Sequence, residues 1–267
     1  MKFRKFVAYA GGQKGLLPLL LELIPAHEKY VEIFGGGCTL LFNKNISKFE
    51  VYNDVNRNLT NLFKVIRDRT EEFKEQLKFL PQNRALFQDF KRELIKETDD
   101  LQKALKFYYL LTYSFSGVTH RYSFVVKESS KIKSAPSVDW FAQRLRNVVI
   151  ENLDFAELIE KYDSPQTFFF LDPPYADIED LYEFSFKDDD HVRLFETLRK
   201  IKGHFLMTYN DHPFIDLLYR NYFKFTYDTP MMMSLKKTNM KVNHLIIADY
   251  DILTRTFRPF MANFFEF

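Results

Sequence analysis

Thr167-Phe168-Phe169-Phe170-Leu171-Asp172-Pro173-Pro174-Tyr175 decides the fold of this 267-residue chain. Its first five residues are apolar or β-branched without interruption, the pattern of a strand buried on both faces of a parallel sheet. A carboxylate and two prolines follow at once, so the backbone stops pairing and leaves the sheet along a fixed, extended path. In an open α/β sheet, ligands sit at the carboxyl ends of strands, where an acid, a rigid carbonyl and an aromatic face would here arrive together. The trio suits a planar ring that carries an amine. Such an amine, as on adenine, is a poor nucleophile because its lone pair is delocalised into the ring. If Asp172 and the Pro173 carbonyl both accept its hydrogens, the nitrogen is drawn toward tetrahedral geometry and the pair is released. Tyr175 can stack on the ring, a contact worth roughly 1–3 kcal/mol. The plainer alternative is a strand-ending turn, since Asp-Pro opens many turns.

Working toward the amino terminus, Val148–Asn152 reads as another strand, ending in Leu153-Asp154-Phe155. Asp154 either accepts from an amino group with Phe155 on the ring, or caps the helix Phe155–Lys161. Phe49–Asp54 is a further strand with an acid at its end. Asp54 falls 19 positions after Gly35, near the spacing of about 20 at which an acid reaches ribose hydroxyls. Its alternative role is to cap the next helix, whose Leu59, Leu62, Phe63 and Ile66 repeat at helical spacing, although Asn56 or Asn58 could cap equally well. Before it, Tyr30–Phe34 is a short buried strand running into Gly35-Gly36-Gly37 and a helix from Leu40. Strand, glycines and helix let a backbone approach a nucleotide-like ligand closely. The spacing is not G-x-G-x-x-G, so dinucleotide binding is not what it predicts. The first segment, Phe6–Gly15, is a glycine-rich turn before a helix Leu16–Ile24, closed by Pro25.

From residue 66 to 136 the strand rhythm disappears. Phe73, Leu77 and Leu80, then Leu86, Phe87, Phe90 and Leu94, then Leu101, Ala104, Leu105, Tyr108 and Leu111 each fit a helix. The expected organisation is a helical insertion over 66–136 within a catalytic domain made of 1–65 and 137–267. Tyr113–Phe124 mixes aromatics and hydroxyls with His120 and Arg121, and Lys127, Lys131 and Lys133 follow. Basic and aromatic residues interleaved on a loop can meet phosphates and an extruded base, or can be an ordinary solvated loop. Past Tyr175, Asp188–Ile201 is an amphipathic helix, His204–Asn210 a buried strand and Asp211-His212-Pro213 a helix start. Lys236, Lys237 and Lys241 precede a last strand, Asn243–Asp249, where they grip phosphate or merely solubilise a hairpin.

Composition narrows the class. Hydrophobic residues make up 46% of the chain and aromatic residues 17%, enough for a full core. The formal charge is only +2, so a nucleic-acid binder would have to gather its basic residues on one side. One cysteine, Cys38, excludes an intrachain disulfide and suits a reducing cytoplasm. The apolar run 16–25 is interrupted by Pro18 and Glu22 and is too short to span a bilayer, and no cleavable leader is expected. Scattered histidines predict no metal site.

In collinear order these segments resemble the D12-class adenine-specific DNA methyltransferases, of which the Dam enzymes are best known. Ala10-Gly11-Gly12 looks like their first motif and Glu32–Gly37 their glycine loop. Asn53-Asp54 resembles the ribose acid, Asp154-Phe155 the adenine clamp, and Asp172-Pro173-Pro174-Tyr175 the catalytic tetrapeptide. The resemblance implies a Rossmann-like, seven-stranded α/β domain, a helical target-recognition insertion and S-adenosylmethionine as methyl donor. It further implies a flipped adenine of double-stranded DNA as acceptor. Tyr9, Gln13, Lys14, Phe34, Gly35, Gly37, Asp54, Asp154, Phe155 and Asp172 would surround the cofactor, and His120, Arg121, Lys127, Lys236 and Lys237 would face DNA. Two departures stand out. Gln13 occupies the place of the family's usual lysine, with Lys14 one later, and the recognition stretch of Dam itself is absent from Tyr113–Phe124, so a GATC target does not follow. A monomer is expected, with or without a cognate restriction endonuclease. Rival readings are transfer to cytosine N4, an RNA base or a protein amide, a nicotinamide-dependent oxidoreductase, and a DNA-binding protein without catalysis.

Overall fold

The computed structural model describes residues 3–7, 9, 15–94, 99–114, 124–125, 138–176, 186–230, 241–252 and 254. Its strands are β1 (Lys29–Glu32), β2 (Phe49–Asn53), β3 (Val148–Glu151), β4 (Thr167–Leu171), β5 (His204–Asn210), β6 (Phe223–Pro230) and β7 (Lys241–Ala248). They form one sheet in the order β3-β2-β1-β4-β5-β7-β6. The first five positions pair in parallel, while β7 is antiparallel to both β5 and β6. The fold is therefore α/β with a Rossmann-like mixed sheet. The chain runs outward from β1 to β3, returns to the middle at β4, and then continues the other way. In open α/β sheets ligands bind at such a reversal, here outside the carboxyl ends of β1 and β4.

β4 is buried throughout: Phe168–Leu171 are apolar, and Thr167 donates its hydroxyl to the Tyr162 carbonyl. Phe168 and Phe170 point into one core cluster, Phe169 and Leu171 into the other. Burying each such side chain stabilises the fold by about 1.5–3 kcal/mol. Helices follow in chain order: α1 (Leu17–Leu23), α2 (Thr39–Asn43), α3 (Arg57–Asp68), α4 (Thr70–Leu77), α5 (Arg84–Lys91), α6 (Asp100–Tyr113), α7 (Val138–Leu145), α8 (Phe155–Tyr162), α9 (Asp188–Leu198) and α10 (Pro213–Leu218). The apolar faces of α1, α2, α3, α6 and α7 share the cluster of Phe168, and those of α8, α9 and α10 share that of Phe169. None of the described helices is long and apolar enough to cross a membrane.

Among the described residues, α4 and one side of α6 tie the helical segment into the main core. Leu101, Ala104, Leu105, Tyr108 and Leu111 of α6 join Leu62, Phe63 and Ile66 of α3 in the main core. The opposite side of α6, with Tyr109, Leu110 and Tyr113, makes a separate cluster with Phe87 and Phe90 of α5. Element boundaries match the sequence reading to within a few residues, with one addition. β6 alternates Phe223, Phe225 and Tyr227 and pairs with the whole of β7, from Phe223 opposite Ala248 to Pro230 opposite Lys241.

Candidate active site

The carboxyl ends of β1, β2 and β3 are laced together by asparagine side chains. Asn53 donates from Nδ2 to the carbonyls of Ile33 (2.9 Å) and Leu153 (3.1 Å), and its Oδ1 accepts from the Leu153 N–H at 2.8 Å. Asn152 donates to the carbonyls of Asp54 (2.7 Å) and Val55 (2.9 Å). Three strand-end loops, Phe34–Gly37, Asp54–Val55 and Leu153–Phe155, are thereby brought side by side. Phe34 meets the Phe155 ring with centroids 5.9 Å apart.

Glycine is required at the turn itself. A Cβ on Gly35 would lie 2.1 Å from the Tyr52 ring, and Gly36 has a left-handed φ of +47° with the Tyr9 ring above it. The loop's backbone then points inward: the Gly36 N–H donates to Asp54 Oδ2 at 2.8 Å, and Tyr52 donates its hydroxyl to the Gly36 carbonyl at 2.9 Å. The second oxygen of Asp54 accepts from the Asn56 N–H at 2.8 Å. Asn56, not Asp54, caps α3, through its own acceptance from the Asn58 N–H at 2.9 Å. Burial raises the Asp54 carboxyl to about 6, against the pull of those two backbone donors. Behind the loop, the wholly buried Glu32 takes the Tyr30 hydroxyl at 2.7 Å and the Leu41 N–H at 3.0 Å, fixing the start of α2. Desolvation raises Glu32 to about 7.

Asp154 caps α8 by accepting from the Ala156 N–H at 2.9 Å. It is also gripped by Arg193, whose two terminal nitrogens lie 2.7 and 2.9 Å from its two oxygens. These contacts hold its carboxyl below the usual carboxylate range, the Arg193 hydrogen bond being the largest cause. The same guanidinium lies over the Phe155 ring, 3.9 Å from the centroid.

On the other side of the chain reversal, β4 pairs with β1 with Phe170 opposite Glu32, so Asp172 and Phe34 lie level just past the two strand ends. Asp172 is half-buried and its Oδ1 accepts from the Thr208 hydroxyl at 2.8 Å. Pro173 is buried, which fixes where its carbonyl leaves the sheet. Tyr175 shares a hydrogen bond of 3.1 Å with His244 Nδ1 on β7, and its ring lies 6.0 Å from that of Tyr209. Burial lowers the His244 pKa, which favours the neutral ring that this contact needs if the tyrosine is the donor. Asn210 donates to the Ala176 carbonyl at 3.1 Å and pins the far end of the tetrapeptide.

Of the residues expected from sequence, the fold gathers Tyr9, Phe34, Gly35, Gly37, Asp54, Asp154 and Phe155 on the β1–β3 side and Asp172, Pro173, Pro174 and Tyr175 beside them. Gln13, Lys14, His120, Arg121, Lys127, Lys236 and Lys237 lie outside the described residues. Thr208, Asn210 and His244, which hold the tetrapeptide, escaped the sequence reading, as did Asn152 and Arg193.

A strand-end acid with two prolines and a tyrosine, set beside a glycine loop that closes on a second acid, is an arrangement for bringing a nucleoside against an amine. A family model of the D12 class N6 adenine-specific DNA methyltransferases matches residues 9–233. The chain belongs to that family. It is accordingly a site-specific DNA methyltransferase acting on adenine, and membership implies use of S-adenosylmethionine. Among named relatives, the Type II methyltransferase M.MjaIII of Methanocaldococcus jannaschii is 25% identical over 79% of this chain and 86% of its own length. The DNA adenine methylase of Escherichia coli K12 is 26% identical over 69% of each chain. The Type II methyltransferase M.CviBI of Paramecium bursaria Chlorella virus NC1A is 25% identical over 92% of this chain and all of its own. A solved rRNA methylase from Streptococcus thermophilus aligns over 88% of this chain and 94% of that one, with a TM-score of 0.36 and 12% identity.

Proposed function

We propose that this D12-class enzyme takes an adenine flipped out of double-stranded DNA and orients its amine with Asp172 and the Pro173 carbonyl. The observation that carries the reading is the placing of Asp172, held by Thr208, level with the glycine loop at the chain reversal. The loop fits a nucleoside-bearing cofactor: Gly35 leaves no room for a side chain, and the Asp54 carboxylate lies against the loop's backbone. S-adenosylmethionine, when bound, supplies a methyl group on a positively charged sulfur. Asp54 would accept from the ribose hydroxyls, the Gly35–Gly37 backbone would lie under the methionine part, and Asp154 with Phe155 would take the adenine end.

Asp172 and the Pro173 carbonyl each accept one hydrogen from the target amine, which turns its lone pair out of the ring plane. Asp172 need not be a strong base, because the amine's proton becomes acidic only as the new bond to carbon forms. Tyr175 stacks on the extruded base and offsets part of the few kcal/mol that unstacking costs. The helical segment and the basic residues His120, Arg121, Lys127, Lys236 and Lys237 would contact the duplex. Whether a cognate endonuclease accompanies the enzyme is a matter of its genetic setting, and a monomer suffices for the site described.

The test is to incubate the purified chain with radiolabelled S-adenosylmethionine and DNAs of varied sequence, then digest and identify the labelled nucleoside. N6-methyl-2′-deoxyadenosine from double-stranded DNA is the expected product. Label in cytosine, or in RNA alone, overturns the acceptor assigned here.

A further inference from the structure

Thr208 is wholly buried within β5, where its neighbours along the same face are Leu206 and, across the ladder, Ile246. A hydroxyl placed among such side chains destabilises the fold unless it is hydrogen-bonded. Among the described residues its acceptors are the Leu171 carbonyl at 3.4 Å and Asp172 Oδ1 at 2.8 Å. A hydroxyl has one proton, and a charge-assisted bond to a carboxylate is both the shorter and the stronger choice. The proton therefore belongs to Asp172.

We propose that Thr208 is the positioning residue of the transfer step: its hydroxyl fixes the plane of the Asp172 carboxylate so that the group meets the amine of the target base. The inference rests on the role given to Asp172 above. A carboxylate one residue beyond a strand end can turn about two side-chain bonds, and each wrong setting misdirects the acceptor. Thr208 stops that rotation from inside the sheet, without itself touching cofactor or DNA. Its β-branched shape suits the strand, so valine fills the same space but lacks the donor, and serine keeps the donor but lacks the methyl.

Single-turnover methyl transfer by the full chain, with the cofactor and DNA of the preceding assay, reads this directly. Thr208→Val should slow transfer about tenfold to a hundredfold, with cofactor affinity and the KM for DNA within about twofold of the parent. Thr208→Ser should recover most of the rate. A Thr208→Val enzyme at the parental rate overturns the proposal, as does a serine variant as slow as the valine one. Loss of cofactor affinity in step with rate would mark a merely structural role and would overturn it too. Should the valine variant fail to fold, Thr208→Cys against Thr208→Ser replaces it: a slow cysteine variant alone supports the proposal, and equal rates sink it. Asp172→Ala separates the two readings. If that variant keeps the parental rate, the assignment of Asp172 falls and takes this proposal with it; if it is inactive while Thr208→Val is normal, only the role of Thr208 is lost.

Discussion

On the β1–β3 side of the sheet's edge, Asp54 is held by the backbone N–H groups of Gly36 and Asn56, and Asn53 grips the backbone of Ile33 and Leu153. On the β4–β7 side, Asp172 and Tyr175 are held side chain to side chain, by Thr208 and His244. The first half is a socket shaped largely by main chain, to which a substitution contributes mainly by blocking the turn, as a Cβ at Gly35 would. The second half is a set of individually replaceable groups. Replacing one of these groups alters one contact of the site, which suits a site whose task is chemistry rather than enclosure.

The largest effect expected from this contrast is at the acceptor side. Asp172→Ala should lower single-turnover transfer by on the order of a thousandfold or more, because the amine loses the acceptor that turns its lone pair. Cofactor affinity, measured by titration, should stay within about twofold, since Asp54, the Gly35–Gly37 backbone and Asp154, which would hold most of the cofactor, lie on the β1–β3 side. If cofactor binding collapses as well, the two halves are not separable in the way their contacts suggest.

The socket should respond to pH through Glu32 and to a smaller degree through Asp54. Glu32 is raised from 4.5 to about 7 by burial, so the folded protein holds this proton more tightly than the unfolded chain. The stability it contributes is fully present below pH 4.5 and is lost as pH rises through about 7. Glu32→Gln keeps an acceptor for Tyr30 and the Leu41 N–H but cannot ionise. Urea unfolding at pH 5 and pH 8 should show the variant losing less stability over that interval than the parent, by on the order of 2 kcal/mol. Equal losses would mean that another group carries the titration. Asp54, raised to about 6, acts in the same direction, which is why the difference between variant and parent is the quantity to read.

His244 gives a finer test of the acceptor side. His244→Phe removes the hydrogen bond to the Tyr175 hydroxyl while keeping a ring against that of Tyr175. The KM for DNA should rise about threefold to tenfold, the worth of one hydrogen bond that positions a stacking ring, with the transfer rate little changed. A fall in transfer rate at unchanged KM would instead place His244 with Thr208 in aligning the amine.

The two halves also differed in how far they could be read from sequence, for a physical reason. The glycine loop, Asp54 and the tetrapeptide each announce themselves locally, because their residue types violate the strand or helix around them. Thr208 does not: a β-branched residue in a strand is what propensity predicts, and only the register of β4 against β5 sets it beside Asp172. His244 is likewise one residue of an apolar strand until β7 slots in antiparallel and brings it to Tyr175. β6 was legible in its alternation of Phe223, Phe225 and Tyr227. For Asp54 the sequence favours the ribose role over capping α3, because Asn56 or Asn58 can cap equally well; the structure gives the cap to Asn56 and leaves Asp54 facing the loop.

Arg193 offers the smallest effect and the sharpest question about the socket. Its planar guanidinium lies on Phe155 and presents two N–H donors to Asp154, much as the amine edge of an adenine would. If Asp154 and Phe155 take the adenine end of the cofactor, then Arg193 competes for the same carboxylate and the same ring face. Arg193 and Asp154 are both well exposed, so the ion pair itself is worth no more than about 1 kcal/mol. Arg193→Ala should therefore tighten cofactor binding by about twofold to fivefold, with the fold unaffected. Unchanged affinity would mean that Asp154 serves only as the cap of α8, and that the adenine end is taken elsewhere along the edge. Weakened affinity would mean that the guanidinium stays in place when the cofactor binds and stacks on its adenine from the side opposite Phe155.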